Sequence, residues 1–274
     1  MDEIALITGA NGGIGKATAI ELARRGATVV MVARDSDRGE QARQEVIKAA
    51  GRDSVQLMIA DLSVQASLRT LAGRYMASYP RLDLLINNAA LHVAQRTVTP
   101  DGLETMFATN HLGYFLLTEL LLESLRAAPA ARVLNITAPS TVKLNFDDLQ
   151  GEQQFRSLQA FGATKTANLL FTFKLARRLE GTPISTNAVH PGIVRSGLMR
   201  ESNVFLRTLT RVMGKPAALA GHDIADLGLS PEFAGQTGRF FNHGHEIKPP
   251  PYTLDPAIQD RLWTVSEQLT SIAP

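Results

Sequence analysis

The sequence predicts an α/β fold in which a doubly wound parallel sheet of about seven strands lies between two layers of helices. Short apolar runs alternate along the chain with longer stretches of helical periodicity. The short runs are almost continuously apolar, as in strands that are buried on both faces. No repeat, low-complexity segment or interdomain linker interrupts residues 1–274, so we expect one domain.

Composition excludes several classes of protein. The chain has 274 residues, of which 45% are hydrophobic and 20% charged, enough for a full core. The net charge is only +2 and no basic block occurs, which argues against nucleic-acid binding. The absence of cysteine excludes disulfides and thiolate chemistry and favours a cytoplasmic location. Because the first strand begins near residue 4, we expect neither a signal peptide nor a membrane anchor.

The first element is an apolar strand, Ile4–Ile7, followed at once by a glycine-rich turn and a helix from Ile14. This order is typical of a Rossmann-type dinucleotide-binding half. Gly9 would end the strand in a tight turn, Gly13 would let the backbone approach a pyrophosphate, and Gly15 would let helix and strand pack closely. The diphosphate would bind free N–H groups at the positive end of the helix.

Six more apolar runs predict the other strands of the sheet. They are Thr28–Ala33, Val55–Ala60, Leu82–Ile86, Arg132–Thr137, Ile184–Val189 and Arg239–Phe241. The apolar stretch Leu112–Leu125 contains two glutamates, so it predicts a buried helix rather than a membrane span. The C-terminal tail, residues 243–274, combines a stiff turn at Pro249–Pro251 with a last helix from Asp255 to about Ser271.

Residues 198–215 interrupt this alternation because large apolar side chains are mixed with arginines and a lysine. Two interpretations stay open. The segment is either a lid over an apolar substrate or a surface helix with one buried face.

The end of the second strand is expected to select the cofactor. NAD sites carry an acidic residue there, which binds the ribose hydroxyls. Here Ala33 stands at that position and Arg34 follows, which suits the 2′-phosphate of NADP(H). We therefore favour NADP(H) over NAD(H). Asp35 is the counter-argument, since a shift of one residue would bring its carboxylate to the ribose.

Several motifs occur in a recognisable order: Thr8-Gly9, Gly13-Ile14-Gly15, Asp61-Leu62, Asn87-Asn88-Ala89-Ala90, Asn110, Lys165 and Pro191-Gly192. In this pattern the chain resembles the short-chain dehydrogenases/reductases over essentially its whole length. It resembles most the branch of retinol dehydrogenases and the WW-domain oxidoreductase. The residues that carry this narrower resemblance are Arg81–Ala89, Asn110–Gly113, His190–Ser196 and Arg261–Trp263.

The resemblance implies a set of residue roles. Asp61 would meet the adenine, Lys165 the nicotinamide ribose and Ser196 the nicotinamide amide. Asn87 and the backbone after it would line the cleft, and Asn110 would place a water for a proton relay. Together with the glycine turn and Arg34, the full set expected at the cofactor is Thr8, Gly9, Asn11, Gly13, Ile14, Gly15, Arg34, Asp61, Leu62, Asn87, Ala89, Lys165, Pro191, Gly192, Ile193 and Ser196.

The resembled family has four catalytic positions, and two of them lack their hydroxyl group here. Asn110 and Lys165 remain, but Phe161 stands where the family has its proton-donating tyrosine, and Ala138 stands in place of the serine. Losing a general acid costs ~10²–10⁴ in rate, and losing an oxyanion donor costs ~10²–10³. Ordinary carbonyl reduction should therefore be slow unless another group substitutes.

Other polar residues are candidates to replace the missing hydroxyls. Ser140 is one, although the proline before it leaves its direction open, and His92 is another, near the expected cleft mouth or simply on the surface. The remaining candidates, for which packing or an unrelated orientation is the simpler interpretation, are Tyr114, Thr137, Thr164 and His190. His243-Gly244-His245 has no acidic cluster nearby, so no metal site is expected.

Three hypotheses follow. The first is an NADP(H)-binding oxidoreductase that acts on a small hydrophobic substrate through an atypical proton relay. The second is a non-redox enzyme that keeps the cofactor site, such as a cyclase, isomerase or dehydratase. The third is a cofactor-binding or regulatory pseudoenzyme, or a variant inactivated by experiment. The helices around Asn110 and Phe161–Arg178 commonly pair subunits in the resembled family, so a homodimer or homotetramer is expected.

Overall fold

Within the residues that the structure describes, the sheet has eight strands in the order β3-β2-β1-β4-β5-β6-β7-β8, all parallel except the β7–β8 pair. The structure, a computed structural model, describes residues 2–194 and 214–272. The doubly wound α/β fold is confirmed, with one antiparallel edge strand beyond the seven expected. The strands are β1 (Ile4–Thr8), β2 (Thr28–Ala33), β3 (Val55–Ile59), β4 (Leu84–Asn87), β5 (Arg132–Ile136), β6 (Ser185–His190), β7 (Phe240–Asn242) and β8 (His245–Glu246).

Helices cover both faces of the sheet. They are α1 (Gly13–Arg24), α2 (Ser36–Ala50), α3 (Gln65–Ser78), α4 (Thr105–Phe107), α5 (Gly113–Leu120), α6 (Leu122–Arg126), α7 (Ser157–Arg178), α8 (Ala217–Leu229) and α9 (Pro256–Thr270). Leu6 of β1 packs in the core formed with α3, α5 and α7, whereas Ala5 and Ile7 pack in the core formed with α1, α2 and α8. This alternation follows from the two-residue period of a strand.

The structure corrects two predicted boundaries. The fourth strand begins at Leu84 instead of Leu82, because the Leu82 amide donates to the Ser124 carbonyl before the ladder starts. The helix predicted over Leu112–Leu125 is interrupted. A π-helical segment, Ala108–Leu112, precedes α5, and Leu121 (φ −98°, ψ 7°) separates α5 from α6.

The C-terminal helix forms within one residue of each predicted end. Asp255 caps it by accepting a hydrogen bond from Ala257 N (2.9 Å). Trp263 packs edge-on against Phe115 (4.9 Å between ring centroids) and stacks on Phe171 (5.9 Å). Helix α9 therefore covers the outer side of α5 and α7.

Most of the possible lid, residues 198–213, lies outside the described residues, as does Ser196. The chain on either side of this segment is joined by a bridge between Val194 and Lys215, with Lys215 N donating to Ile193 O (2.8 Å). In the described parts of the chain, no helix has the length and apolar content that a bilayer crossing requires.

Candidate active site and nucleotide cleft

A cavity of about 510 Å³ opens at the carboxyl ends of β1 to β4. This is where the strand order reverses, the position at which such sheets bind ligands. Nine of the residues expected at the cofactor line it: Gly9, Asn11, Gly13, Ile14, Gly15, Arg34, Asp61, Leu62 and Ala89. The fold thus brings together residues that lie far apart in the sequence.

The glycine turn has the geometry that an anion needs. A Cβ at Gly15 would collide with the Gly9 carbonyl and lie 2.6 Å from Asn88 Nδ2, which confirms the close packing of helix and strand. A Cβ at Gly12 would meet nothing within 4 Å. Gly12 is the N-cap of α1 and offers no side chain to its free amides, and the first turn contains no acidic residue. The residues present therefore fit a diphosphate.

Two arginines stand at the end of the cleft where the adenosine of a cofactor is expected. Arg34 follows β2, Arg38 lies in the first turn of α2, and both are exposed in the cavity wall. Among the described residues, neither guanidinium has an ion pair or hydrogen bond. Asp35 is the N-cap of α2, and its Oδ1 accepts a hydrogen bond from Arg38 N (2.9 Å). One of the two carboxylate oxygens of Asp35 is therefore already bound to the helix.

The wall near Asp61, the residue expected to meet the adenine, is formed by the chain after β3. Asp61 Oδ1 accepts hydrogen bonds from Ser63 N (2.9 Å) and Ser63 Oγ (2.7 Å), which holds the carboxylate at the cavity edge. Thr109 also lines the cavity. Its hydroxyl is buried and has no partner in the described part of the chain. Thr109 could not be found from the sequence, since a lone threonine in a helix carries no signal.

Two residues expected to line the cleft lie beneath it. The Thr8 hydroxyl accepts hydrogen bonds from Asn88 N (2.9 Å) and Ala89 N (3.0 Å), so it joins β1 to the end of β4. Asn87 is fully buried, and its Nδ2 donates to Asn135 Oδ1 (2.9 Å) and to a threonine of α5. Both side chains face the sheet and its neighbours, and Asn88 takes the lining position instead.

Lys165 and Phe161 form the core of the catalytic end. Lys165 is only 6% exposed, and burial lowers the pKa of its ammonium to about 8. Its Nζ lies 5.3 Å from the centroid of the Phe161 ring, as expected of residues four apart on one helix face. Among the described residues, no hydrogen-bond acceptor contacts this ammonium. The Lys165 ammonium is therefore suited to donate hydrogen bonds to ribose hydroxyls.

Asn110 lies in the π-helical segment and is fully buried. Its side chain clamps the backbone of Leu91, accepting from Leu91 N (2.8 Å) and donating to Leu91 O (2.9 Å). It also donates to Thr164 Oγ1 (3.3 Å), and Asn168 Nδ2 donates to the Asn110 carbonyl (2.9 Å). The observed role of its side chain is to hold the loop after β4. The water-holding role stays a prediction.

Three of the six candidate substitutes for the missing hydroxyls donate to backbone carbonyls. Ser140 donates to Gly162 O (2.8 Å), Thr137 to Lys165 O (2.8 Å) and Thr164 to Phe161 O (2.8 Å). Tyr114 is fully buried, and burial raises the pKa of its phenol. His190 is half-buried, and burial lowers the pKa of its imidazole. Ala138 lies two residues after the end of β5, and its carbonyl accepts a hydrogen bond from Ser140 N (2.7 Å).

His92 is not on the surface, contrary to the simpler of its two interpretations. It is 5% exposed and lies in the cavity wall. Its Nε2 is 2.8 Å from Ser157 Oγ, and its ring meets Phe161 edge-on with 5.7 Å between centroids. Ser157, the first residue of α7, carried no signal in the sequence.

The turn after β6 contains Pro191, Gly192 and Ile193, which lie beyond the cavity described above. Gly192 has φ +76°, so a side chain there would be strained. Ile193 is half-exposed. This turn is therefore partly exposed where the nicotinamide end of a dinucleotide is expected.

Comparison with known proteins decides the family. The family model "short chain dehydrogenase" matches residues 3–205. The chain belongs to the short-chain dehydrogenase family. Retinol dehydrogenase 12 of Mus musculus is 39% identical over 274 residues, covering 98% of this chain and 87% of that protein. Retinol dehydrogenase 14 of Homo sapiens is 38% identical over 288 residues, covering 97% and 86%. The predicted family and branch are confirmed.

Solved structures agree with this assignment. An uncharacterized protein from Mycobacterium paratuberculosis is 32% identical, with a TM-score of 0.79 over 98% of this chain and 93% of that one. A 3-ketoacyl-(acyl-carrier-protein) reductase from Brucella melitensis, 23% identical with a TM-score of 0.70 over 92% and 98%, shares the fold. This short-chain dehydrogenase therefore has an oxidoreductase architecture, and its family implies a nicotinamide nucleotide cofactor.

Proposed function

We propose that this chain is an NADP(H)-dependent oxidoreductase that interconverts the carbonyl and hydroxyl forms of a hydrophobic small molecule. The observation that carries the cofactor choice is the pair Arg34 and Arg38, exposed in the cleft wall without a carboxylate partner among the described residues. Two guanidiniums without a carboxylate partner in the described part of the chain suit a phosphate dianion at the adenosine end. Because Asp35 Oδ1 already accepts the capping hydrogen bond, its carboxylate is less suited to bind both ribose hydroxyls of NAD(H).

The chain's own residues perform the binding steps. The free amides of α1 hold the diphosphate, and Asp61 contacts the adenine. The Lys165 ammonium holds the nicotinamide ribose, and Phe161 gives it an apolar floor. When bound, NADPH supplies a hydride to the carbonyl carbon. The rate then depends on which group supplies a proton to the carbonyl oxygen, since positions 138 and 161 lack hydroxyls.

Substituting Arg34 tests the cofactor choice. Arg34→Ala should raise the Kd for NADPH about 10- to 100-fold, because a charge-assisted bond to a phosphate is lost, and change the Kd for NADH less than about threefold. Fluorescence titration of each nucleotide measures both constants. Arg74→Ala, an exposed arginine of α3, is the matched control and should change neither. Equal weakening of both nucleotides by Arg34→Ala would reject the phosphate role.

The substrate class rests on similarity alone. The relatives are named for retinol, a hydrophobic alcohol, and we extend that class to this chain. Decanal and all-trans-retinal, each with NADPH, are suitable first probes. Loss of NADPH absorbance that depends on either aldehyde supports the proposal, and the absence of turnover in a protein that binds NADPH contradicts it.

The second candidate is a non-redox reaction in the same cleft. It is favoured by one observation, the absence of a hydroxyl at both Phe161 and Ala138. Product formation without net consumption of the nucleotide would identify it.

A further inference from the structure

His92 lies where the catalytic end of the cleft meets the side chain that replaced the tyrosine. It contributes to the cavity wall together with the preceding residues of the loop after β4. Its imidazole also packs edge-on against Phe161, at 5.7 Å between centroids and 76° between planes. A titratable ring thus packs against the side chain that replaces the tyrosine.

The imidazole is held by the first turn of α7. The Ser157 hydroxyl donates its single hydrogen to the Val93 carbonyl, so the oxygen accepts from His92 Nε2, 2.8 Å away. Nε2 therefore keeps its hydrogen in both charge states. It follows that Nδ1 is the nitrogen that gains and loses a proton.

The backbone that carries His92 is fixed from a second side. Asn110 makes two hydrogen bonds to the main chain of Leu91, at 2.8 and 2.9 Å. Asn110 is itself tied to α7 through Thr164 and Asn168. Ser157, Phe161 and Lys165 belong to the same helix. The ring is therefore positioned relative to the residues of the catalytic end, as a proton donor requires.

We propose that His92 supplies the proton to the substrate oxygen, in place of the tyrosine hydroxyl that Phe161 lacks. This inference rests on the proposed oxidoreductase function. During reduction the carbonyl carbon accepts the hydride, the π electron pair moves to oxygen, and that oxygen takes the proton from Nδ1 of the imidazolium. The imidazole is left neutral and recovers a proton from solvent. Oxidation of the alcohol runs the same steps in reverse. Ser157 is a positioning residue that fixes the ring.

The decisive experiment compares His92→Gln with the wild type in NADPH-dependent reduction of decanal and all-trans-retinal. Glutamine keeps a polar group of similar reach but cannot transfer a proton at neutral pH. We expect kcat to fall about 100-fold or more, as for loss of a general acid, with the Kd for NADPH unchanged within about twofold. His245→Gln, an exposed histidine of β8, is the matched control and should retain full activity.

Repeating the His92→Gln substitution in a Phe161→Tyr variant distinguishes a proton-donating role of His92 from a purely structural role. Phe161→Tyr returns a phenol four residues before Lys165, so it offers an alternative donor. In that background His92→Gln should change kcat by less than about threefold, because the two donors serve the same step. A purely structural role for His92 would give the same loss in both backgrounds and would overturn the proposal.

Two further measurements test the arrangement of the ring. In long-range ¹⁵N–¹H spectra of the nucleotide-free protein, assigned with His92→Gln, neutral His92 should be the Nε2–H tautomer, and the Nδ1–H tautomer would contradict the proposal. Ser157→Ala should lower kcat about 10-fold with little change in KM, and Ser157→Thr should restore it.

The outcomes separate the inference from the proposed function. If the wild type reduces the aldehydes and His92→Gln retains more than half of kcat, only the role of His92 is overturned. If the wild type binds NADPH but reduces neither aldehyde, the oxidoreductase proposal fails and the proton step fails with it.

Discussion

Lys165 is a buried charge that destabilises the folded protein in the absence of a ligand. Its ammonium is almost completely buried, faces the Phe161 ring and contacts no acceptor among the described residues. Burial disfavours the charged form and lowers the pKa to about 8, so below that pH a buried charge is retained at a cost. Such a cost is typical of a group kept for binding a ligand.

Lys165→Met should therefore stabilise the nucleotide-free protein. The pKa falls from 10.5 to about 8 on folding, so the charged lysine costs about 3 kcal/mol below pH 8. The wild type, but not the variant, should gain stability as the pH rises from 8 to 10.5. Urea unfolding measures the effect, with the exposed Lys48→Met as control. A less stable Lys165→Met protein, or unchanged NADPH affinity, would count against this account of the site.

The π-helical segment is the element that ties the site to the rest of the molecule. Asn110 and His111 are adjacent in it and point to different partners. His111 is fully buried, with Nε2 at 2.9 Å from Ser266 Oγ of α9 and Nδ1 at 3.4 Å from Asn168 Oδ1 of α7. One turn of irregular helix thus joins the loop after β4, helix α7 and helix α9.

This junction should make the protein sensitive to acid. Burial lowers the pKa of His111 to about 4, so the folded state holds the neutral ring while the unfolded chain takes up a proton below about pH 6.5. The group's contribution is complete above pH 6.5 and is lost as the pH falls toward 4, on the order of 3 kcal/mol in total.

Urea unfolding between about pH 7 and about pH 4.5 measures this loss. His111→Gln should be less stable near neutral pH, because two hydrogen bonds change, but its stability should vary less with pH. An identical pH dependence in the variant would show that other groups cause it.

Helix α9 packs across the outer side of α5 and α7 and joins the C-terminus to the main fold. Trp263 lies between Phe115 and Phe171, the Arg178 guanidinium stacks on it at 4.5 Å, and its Nε1 donates to Glu267 (2.7 Å). The subunit contact expected through α7 stays a prediction. Where it forms, it must involve surface that α9 leaves open.

Trp263→Ala should lower the free energy of unfolding by about 3–5 kcal/mol, because it removes a buried aromatic ring and leaves a cavity. Thr264→Ala, exposed on the same helix, should cost little. Urea unfolding gives both values, and sedimentation velocity should show whether the variant changes the state of association. A loss below about 1 kcal/mol would mean that α9 contributes little to the core.

Some features of the site could be predicted because they depend on neighbours in the sequence. The glycine turn follows from a strand and a helix that are contiguous with it, and Phe161 faces Lys165 because a helix places residues four apart on one side. The last helix begins at Asp255 because its cap is local. The alternation of apolar runs likewise fixed the α/β class.

Other features required the tertiary structure because their partners are distant along the chain. Thr8 and Asn87 lie beneath the cleft, since bonds to residues 80 and 48 positions away engage the Thr8 hydroxyl and the Asn87 amide nitrogen. His92 is buried by Ser157 and Phe161, and its hydrogen bond spans 65 residues. The sequence alone determined that a nucleotide-binding sheet would form and that two hydroxyls would be missing. Only the packing of α7 against the loop after β4 decided which side chain stands beside the vacant position.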